Sequence, residues 1–346
     1  MSAASIDPVH AAGRASIRAL AQGTVGGALA PIVLPAPPPP EGHDLDVDVL
    51  FCSVCHSDVH LLDGDWGEVA RPLVPGHEIV GRVARAGALA GFAPGAIVGI
   101  GWQCGSCGAC PACRSAREHL CTGGKRRTCV GRAGGFATQV RCDARFAFEL
   151  PPGIDPASAA PLLCAGLTVF SPLDRLGARS GMRVGVVGVG GLGHLAIRFA
   201  RALGAEVIAF DPDLSKRELV LGLGASDLLD ARGALPAFAV DLLLVTTHAR
   251  LAWDAWLRVL DLEGTLCLVG VPAAPLALPV DPLMDEQKRV TGSVIGSPAT
   301  MRRMLALAGA HRIEPVVEHA PLARANEAVA RVREGRARLR VVLDVA

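Results

Sequence analysis

Four cysteines, Cys107, Cys110, Cys113 and Cys121, stand in a C-x2-C-x2-C-x7-C array. That spacing is tight enough for four thiolates to converge on one tetrahedral zinc ion. The array is set among Gly101, Gly105 and Gly108 instead of apolar neighbours, which argues against four free core thiols. With four protein ligands there is no open coordination position, so such an ion holds a loop-rich segment together and does no chemistry. Cys104 stands at the same two-residue spacing and competes for a place; the later four are favoured because the seven-residue interval starts at Cys113.

A second group of potential ligands is scattered. Cys55 heads Cys55-His56-Ser57-Asp58, His77 and Glu78 close Pro75-Gly76-His77-Glu78, and Cys164 lies within Leu162-Leu163-Cys164-Ala165-Gly166. Each stands beside residues that fix a turn or bury the chain. Thiolate, imidazole and carboxylate are all zinc ligands, yet a single buried Cys or His is a packing residue in most proteins. Taken one at a time, these residues leave both readings open.

A third pattern concerns nucleotides. Gly188-Val189-Gly190-Gly191-Leu192-Gly193 follows an apolar run and opens an apolar-periodic segment, the context that a dinucleotide fingerprint requires. Gly188 allows the tight turn, Gly190 lets a pyrophosphate approach backbone N–H groups, and Gly193 permits close packing of helix on sheet. Asp211 stands where the fingerprint expects an acid. A carboxylate there accepts hydrogen bonds from the adenosine ribose hydroxyls and repels a 2′-phosphate, so NAD is expected over NADP. Lys216 and Arg217 argue the other way, because either could reach a 2′-phosphate.

These groups need elements to position them. A chain of 346 residues exceeds what one core supports and predicts two domains. The first half is rich in Gly and Pro, with short apolar runs at 47–50, 78–83 and 96–100 and no helix longer than a few turns, so it reads as irregular all-β. The prolines at 37–40 read as a stiff surface connector ahead of a strand. From Arg183 the pattern alternates: strand 183–187, helix 192–203, strands 206–210 and 240–246, helix 251–260, strand 265–270. That alternation predicts a doubly wound parallel sheet. The tail holds an amphipathic helix at 322–333 and an apolar strand at 339–344 that could return to the first domain. No repeat of solenoid length is present.

Composition excludes some partners. The net charge is +1 and the Lys and Arg residues are spread along the chain, so no nucleic-acid partner and no anionic membrane is expected. The uncharged run between Asp155 and Asp174 contains Pro161, Gly166 and Pro172 and reads as buried core, being short for a bilayer span. The first thirty residues carry no signal-peptide pattern. A cytoplasmic location is therefore expected, with the eleven cysteines kept as thiols for metal or catalysis.

Together, Cys55-His56-Ser57-Asp58, Val74-Pro75-Gly76-His77-Glu78-Ile79-Val80-Gly81, the cysteine array, Pro161-Leu162-Leu163-Cys164-Ala165-Gly166 and the glycine motif resemble the zinc-containing medium-chain alcohol dehydrogenase family. The likeness is strongest to its cinnamyl-alcohol-dehydrogenase and broad-range aldehyde-reductase branch, and it runs from about Ile17 to the C-terminus. It implies an α/β chain: a GroES-like, mostly-β catalytic domain over 1–165, with 306–346 returning to it, and a Rossmann doubly wound parallel sheet over 166–305. The active site would lie in the cleft between them. It implies two zinc ions per chain. Cys55, His77 and Cys164 would ligate the catalytic ion, the two-thiolate, one-imidazole set that catalytic zinc takes in alcohol dehydrogenase, with Glu78 a fourth ligand or a close neighbour. Cys107, Cys110, Cys113 and Cys121 would hold the structural ion.

The same resemblance implies hydride transfer between a nicotinamide cofactor and a small-molecule primary alcohol or its aldehyde, of medium length or aromatic. A proton path would run from the substrate oxygen to Ser57, the nicotinamide ribose and then His60. Gly188, Gly190, Gly191, Leu192 and Gly193 would hold the nucleotide with Asp211 and Lys216, Thr168 would lie beside the nicotinamide, and Arg340 would pair with the pyrophosphate. Trp66 would line the substrate pocket, with Trp102 near it. A homodimer joined through an edge strand at 290–295 is implied as well. Asp211 departs from the nearest branch, which carries a small or hydroxyl residue there and uses NADP. Residues 1–15 have no counterpart and are expected to be a disordered extension. A zinc-free quinone reductase of the same superfamily would lack the ligands, a cofactor-binding protein without turnover would have lost Ser57 or a ligand, and a nucleic-acid zinc module would show a basic helix.

Overall fold

The computed structural model describes residues 16–272 and 274–346, so the extension expected over 1–15 lies outside the described residues. The chain divides into two compact units, Met1–Cys164 with Val316–Ala346, and Ala165–Pro315.

In the first unit, β1 (Ser16–Gln22) and β2 (Leu29–Pro35) form an antiparallel hairpin. Then follow β3 (Asp44–Val54), α1 (His56–Asp63), β4 (Glu78–Ala86), β5 (Ile97–Ile100), β6 (Gln103–Gly105), α2 (Pro111–Arg114), β7 (Arg126–Arg127), β8 (Gln139–Asp143), β9 (Ala147–Glu149) and α3 (Pro156–Ala159). β3 is the backbone of this unit. Its Leu45, Val47 and Val49 recur at the strand period of two and enter the core with Val59, Leu61, Leu62, Ile79 and Phe136. Asp46 is fully buried, but its carboxylate is held by Arg85 and Arg141. The same two guanidiniums bond the carbonyls of Pro37 and Pro38, so the proline run is tied down onto the sheet.

The second unit contains α4 (Ala165–Arg175), β10 (Arg183–Val187), α5 (Gly193–Ala202), β11 (Glu206–Asp211), α6 (Arg217–Gly222), β12 (Asp227–Asp230), β13 (Val240–Val245), α7 (Trp253–Val259), β14 (Leu260–Leu268), α8 (Asp281–Asp285), β15 (Arg289–Gly292) and α9 (Pro298–His311). The six strands are parallel in the order β12-β11-β10-β13-β14-β15. This is the order of a Rossmann sheet, with its switch point between β10 and β13. The alternation read from Arg183 onward is borne out. The uncharged run between Asp155 and Asp174 bends by 55° between 163 and 165, and among the described residues no single helix is long and apolar enough to cross a membrane.

The chain then returns to the first unit with β16 (Val317–Pro321), α10 (Ala325–Arg333) and β17 (Arg340–Asp344), and β17 pairs antiparallel with β3. The return begins at Val316, ten residues later than the expected 306, because α9 runs unbroken to His311 and packs on α4.

Candidate active site

The register of three strands builds one corner of the first unit. Ser53, near the end of β3, lies opposite Glu78 at the start of β4, and Val54 lies opposite Val341. Cys55, Glu78 and Arg340 therefore share an edge. Cys55 caps α1, whose N-terminal dipole favours a thiolate. Gly76 precedes His77 at φ 101°, and a Cβ there would lie 2.7 Å from both Cys52 Sγ and the Phe136 ring, so only glycine makes this turn. Cys164 follows a 3-10 turn, Ala160–Leu163, that is buried throughout.

The ligand atoms of Cys55, His77, Glu78 and Cys164 all lie within 4.8 Å of one another. The hydrogen bond between the two thiols drives Cys55 well below and Cys164 well above the ordinary thiol pKa, so the pair acts as one site sharing a proton. Burial pushes the Glu78 carboxyl up to about 7 against the pull of Arg340. Burial pulls the His77 imidazole down, but Asp58 more than reverses this and holds it well above its ordinary value. His77 Nε2 and Glu78 Oε1 are buried without hydrogen-bond partners. Two thiols, an imidazole with an orphaned nitrogen and an orphaned carboxylate oxygen suit a zinc ion.

Asp58 organises this corner. Its Oδ2 accepts the Cys55 N–H at 3.0 Å, and its Oδ1 accepts the Gly76 N–H and lies 2.9 Å from His77 Nδ1. With Nδ1 held by Asp58, Nε2 is the nitrogen left to face a metal, whose binding would displace its proton, the carboxylate–histidine arrangement that orients metal ligands. Sequence reasoning quoted Asp58 within a motif and gave it no role. Its position three residues after the helix cap, the capping-box spacing, was the available signal.

Ser57 stands half-buried in the first turn of α1, and His60 follows one turn later. His60 Nδ1 lies 2.7 Å from Asp65 Oδ2, a partner that sequence reasoning missed. Trp66 stacks on the His60 ring at 4.9 Å, meets Trp102 edge-on at 5.8 Å, and Trp102 in turn meets His77 edge-on at 4.7 Å. Trp66 is 44% exposed. The two tryptophans thus form an aromatic row running outward from His77.

The cysteine array closes as its spacing suggested. Sulfur separations of 3.5 Å for Cys110–Cys113 and Cys107–Cys121 and 3.9 Å for Cys107–Cys113 match the roughly 3.8 Å edge of a tetrahedron with Zn–S bonds near 2.3 Å. Backbone N–H groups hold the Cys110 sulfur down at about 5. Cys104 is not in this cluster; it is buried, and its sulfur lies 3.5 Å from Arg132 Nη1.

In the second unit, Gly188 sits at φ 88°, and a Cβ on Gly193 would lie 1.9 Å from the Gly188 carbonyl oxygen, whereas nothing stands over Gly190 within 4 Å. Gly191 and Leu192 are half-buried at the entry to α5, and Thr168 is half-buried in α4. Asp211 differs from the free carboxylate expected. It is 3% exposed, its oxygens accept the Val189 and Asp213 N–H groups, and Lys216 Nζ lies 3.1 Å from both. Arg217 pairs with Asp227 and bonds the Leu228 carbonyl on β12. Arg340 is buried in the first unit against Glu78, with Ser53 Oγ at 3.3 Å from Nη2. The reason is the register of β17 with β3, which sequence alone does not reveal.

Residues 41–152 match the family model for the alcohol dehydrogenase GroES-like domain, and residues 191–310 match that for zinc-binding dehydrogenases. The aldehyde reductase AdhA of Synechocystis is 40% identical over 307 residues, 87% of this chain and 91% of that protein. Among solved structures, the cinnamyl alcohol dehydrogenase SbCAD4 of Sorghum bicolor superposes with a TM-score of 0.89 at 33% identity, covering 95% of this chain and 97% of that one. The CAD of Helicobacter pylori, in complex with NADP(H), gives a TM-score of 0.88 at 28% identity, covering 96% and 98%.

Proposed function

Because the chain belongs to the zinc-binding alcohol dehydrogenase family, we propose that it interconverts a medium-length or aromatic primary alcohol and its aldehyde, using NAD(H). The observation that carries this reading is the convergence of Cys55, His77, Glu78 and Cys164, with His77 Nε2 buried and unpartnered.

When bound, zinc supplies a Lewis acid for the substrate oxygen and the nicotinamide takes up or returns hydride. Cys55, His77 and Cys164 would hold the ion, with Glu78, paired to Arg340, a fourth ligand or a close neighbour. Asp58 keeps His77 in the tautomer that presents Nε2. Ser57 takes the proton that leaves the substrate oxygen, and His60, one turn along the same helix face, delivers it toward solvent while Asp65 holds its ring. Trp66 and Trp102 offer flat apolar walls, which favours aromatic or medium-length substrates over the smallest ones.

The cofactor reading rests on Asp211, which puts a carboxylate at the end of β11 where a 2′-phosphate would otherwise lie. Lys216 is the group that would accept that phosphate, as NADP(H) in the Helicobacter pylori relative keeps relevant. A homodimer formed through β15 is supported by that strand's place at the sheet edge and by exposed Val271, Val280, Met284 and Val294 in this unit. Eleven free thiols suit a reducing, cytoplasmic setting.

The test is an assay of zinc-replete protein with benzaldehyde or cinnamaldehyde, offered NADH and NADPH separately, alongside Cys164→Ser. We expect NADH-dependent turnover that falls at least about 100-fold in the variant, with one zinc per chain lost. Turnover with NADPH alone would overturn the reading of Asp211, and an active Cys164→Ser variant would overturn the ligand set.

A further inference from the structure

One crossover of the nucleotide unit is too short for its task. β12 and β13 are parallel, with β11 and β10 between them. They are joined by the nine residues 231–239, which contain no helix. Asp230 is level with Asp211, and Val184 is level with both Val207 and Leu242. The connector must therefore descend about 20 Å along the strands and cross about 14 Å of sheet, roughly 24 Å in all. Nine residues reach about 30 Å when extended but only about 14 Å as a helix. The chain has no choice but to run nearly straight, and the helix that usually covers such a crossover is missing.

What it leaves is a groove of about 350 Å³ between this connector and α7, at the lower end of ligand-pocket sizes. Leu235, Leu251 and Trp256 provide apolar lining, and Arg232, Arg250 and Arg258 bring three guanidiniums, with no acidic residue in the lining. Arg258 is paired with Asp254 at 3.2 Å on the same helix, which leaves Arg232 and Arg250 as the groove's uncompensated cations. The Arg232 and Arg250 side chains make no ion pair with any other described residue. Cations around an apolar floor complement one kind of ligand: an anionic oxygen head that guanidinium forks can bind, carried on a small apolar body.

We propose that this groove is a second binding site, separate from the hydride-transfer site, for a small amphipathic anion: a carboxylate or phosphate monoester on a ring or short branched chain. The experiment is a thermal-shift titration of the full chain with benzoate and with phenyl phosphate, each with and without saturating NADH. At least one probe should raise Tm saturably whether or not NADH is present. Affinity should fall tenfold or more in Arg232→Ala/Arg250→Ala. It should fall similarly in Ala255→Trp, which fills the groove and leaves its charge intact. Absence of any saturable shift overturns the proposal, as does a shift that survives both variants. A shift abolished by NADH also overturns it, because the groove then belongs to the cofactor's own adenosine end.

Discussion

Asp65 lies outside the cluster of potential metal ligands, yet it holds the His60 ring. With Nδ1 donating to Asp65, Nε2 is left as the proton acceptor, and Trp66 stacked on the ring limits its rotation. Asp65→Ala should lower kcat about threefold to tenfold with KM nearly unchanged, because orientation is lost and binding is not. Steady-state kinetics in both directions check this, and an unchanged kcat would remove His60 from the proton path. At this scale legibility follows sequence distance. The four-cysteine cluster was readable because its ligands lie within one short loop. Cys55, His77 and Cys164 were suspect singly and became a set only through resemblance. The Glu78–Arg340 pair was unreadable, since it exists only because β17 lies beside β3.

The elements carry their own tests. Gly193→Ala would place a methyl group 1.9 Å from the Gly188 carbonyl oxygen. Backbone must move on both sides, so we expect a loss of about 3 kcal/mol and weaker NADH binding, read by denaturant melts and fluorescence titration. At the opposite, N-terminal ends of the same sheet's strands, Arg183 of β10 clamps Asp241 of β13 and Asp261 of β14. The hydrogen bond from Arg183 holds the Asp261 carboxyl below its ordinary value. Its contribution is therefore complete above the usual carboxylate pKa of about 4 and is lost as pH falls through the depressed value. Asp261→Asn should lower Tm by about 1 to 2 °C at pH 7, a small effect because the pair is screened. Once pH has fallen below that depressed value the two proteins should melt together, and a gap that persisted there would exclude the ion pair as its cause. Strands β10, β11, β13 and β14 were legible as apolar runs with turn signals. The β1–β2 hairpin was not, because Pro31 sits inside β2 and proline argues against a strand interior.

For the whole molecule, the strongest expectation is self-association through β15. Sedimentation velocity should give twice the 35.7 kDa chain mass, and Val294→Glu, a charge on the exposed flank of that edge, should give monomers with the fold intact by circular dichroism. A wild-type monomer at micromolar concentration would remove the dimer. Two units with different architectures were legible from the change of pattern at Arg183. The exact point of return was not, because α9 continues the amphipathic pattern of its own unit past the boundary that resemblance suggested.

The insertion of one unit into the other sets an order of events during synthesis. β3, β4 and the residues around Cys55 and His77 leave the ribosome early, but β17 emerges only after the whole of the Rossmann sheet. The nucleotide unit, being continuous in the chain, can fold as soon as it is out, while in the catalytic sheet residues 51–54 of β3 wait for β17 beside the stretch that β8 already pairs. Until Arg340 arrives, the buried Glu78 carboxylate lacks its guanidinium partner and has only the neighbouring His77 to offset its charge. The catalytic corner is therefore completed last of all, because its Glu78–Arg340 pair needs both ends of the discontinuous unit.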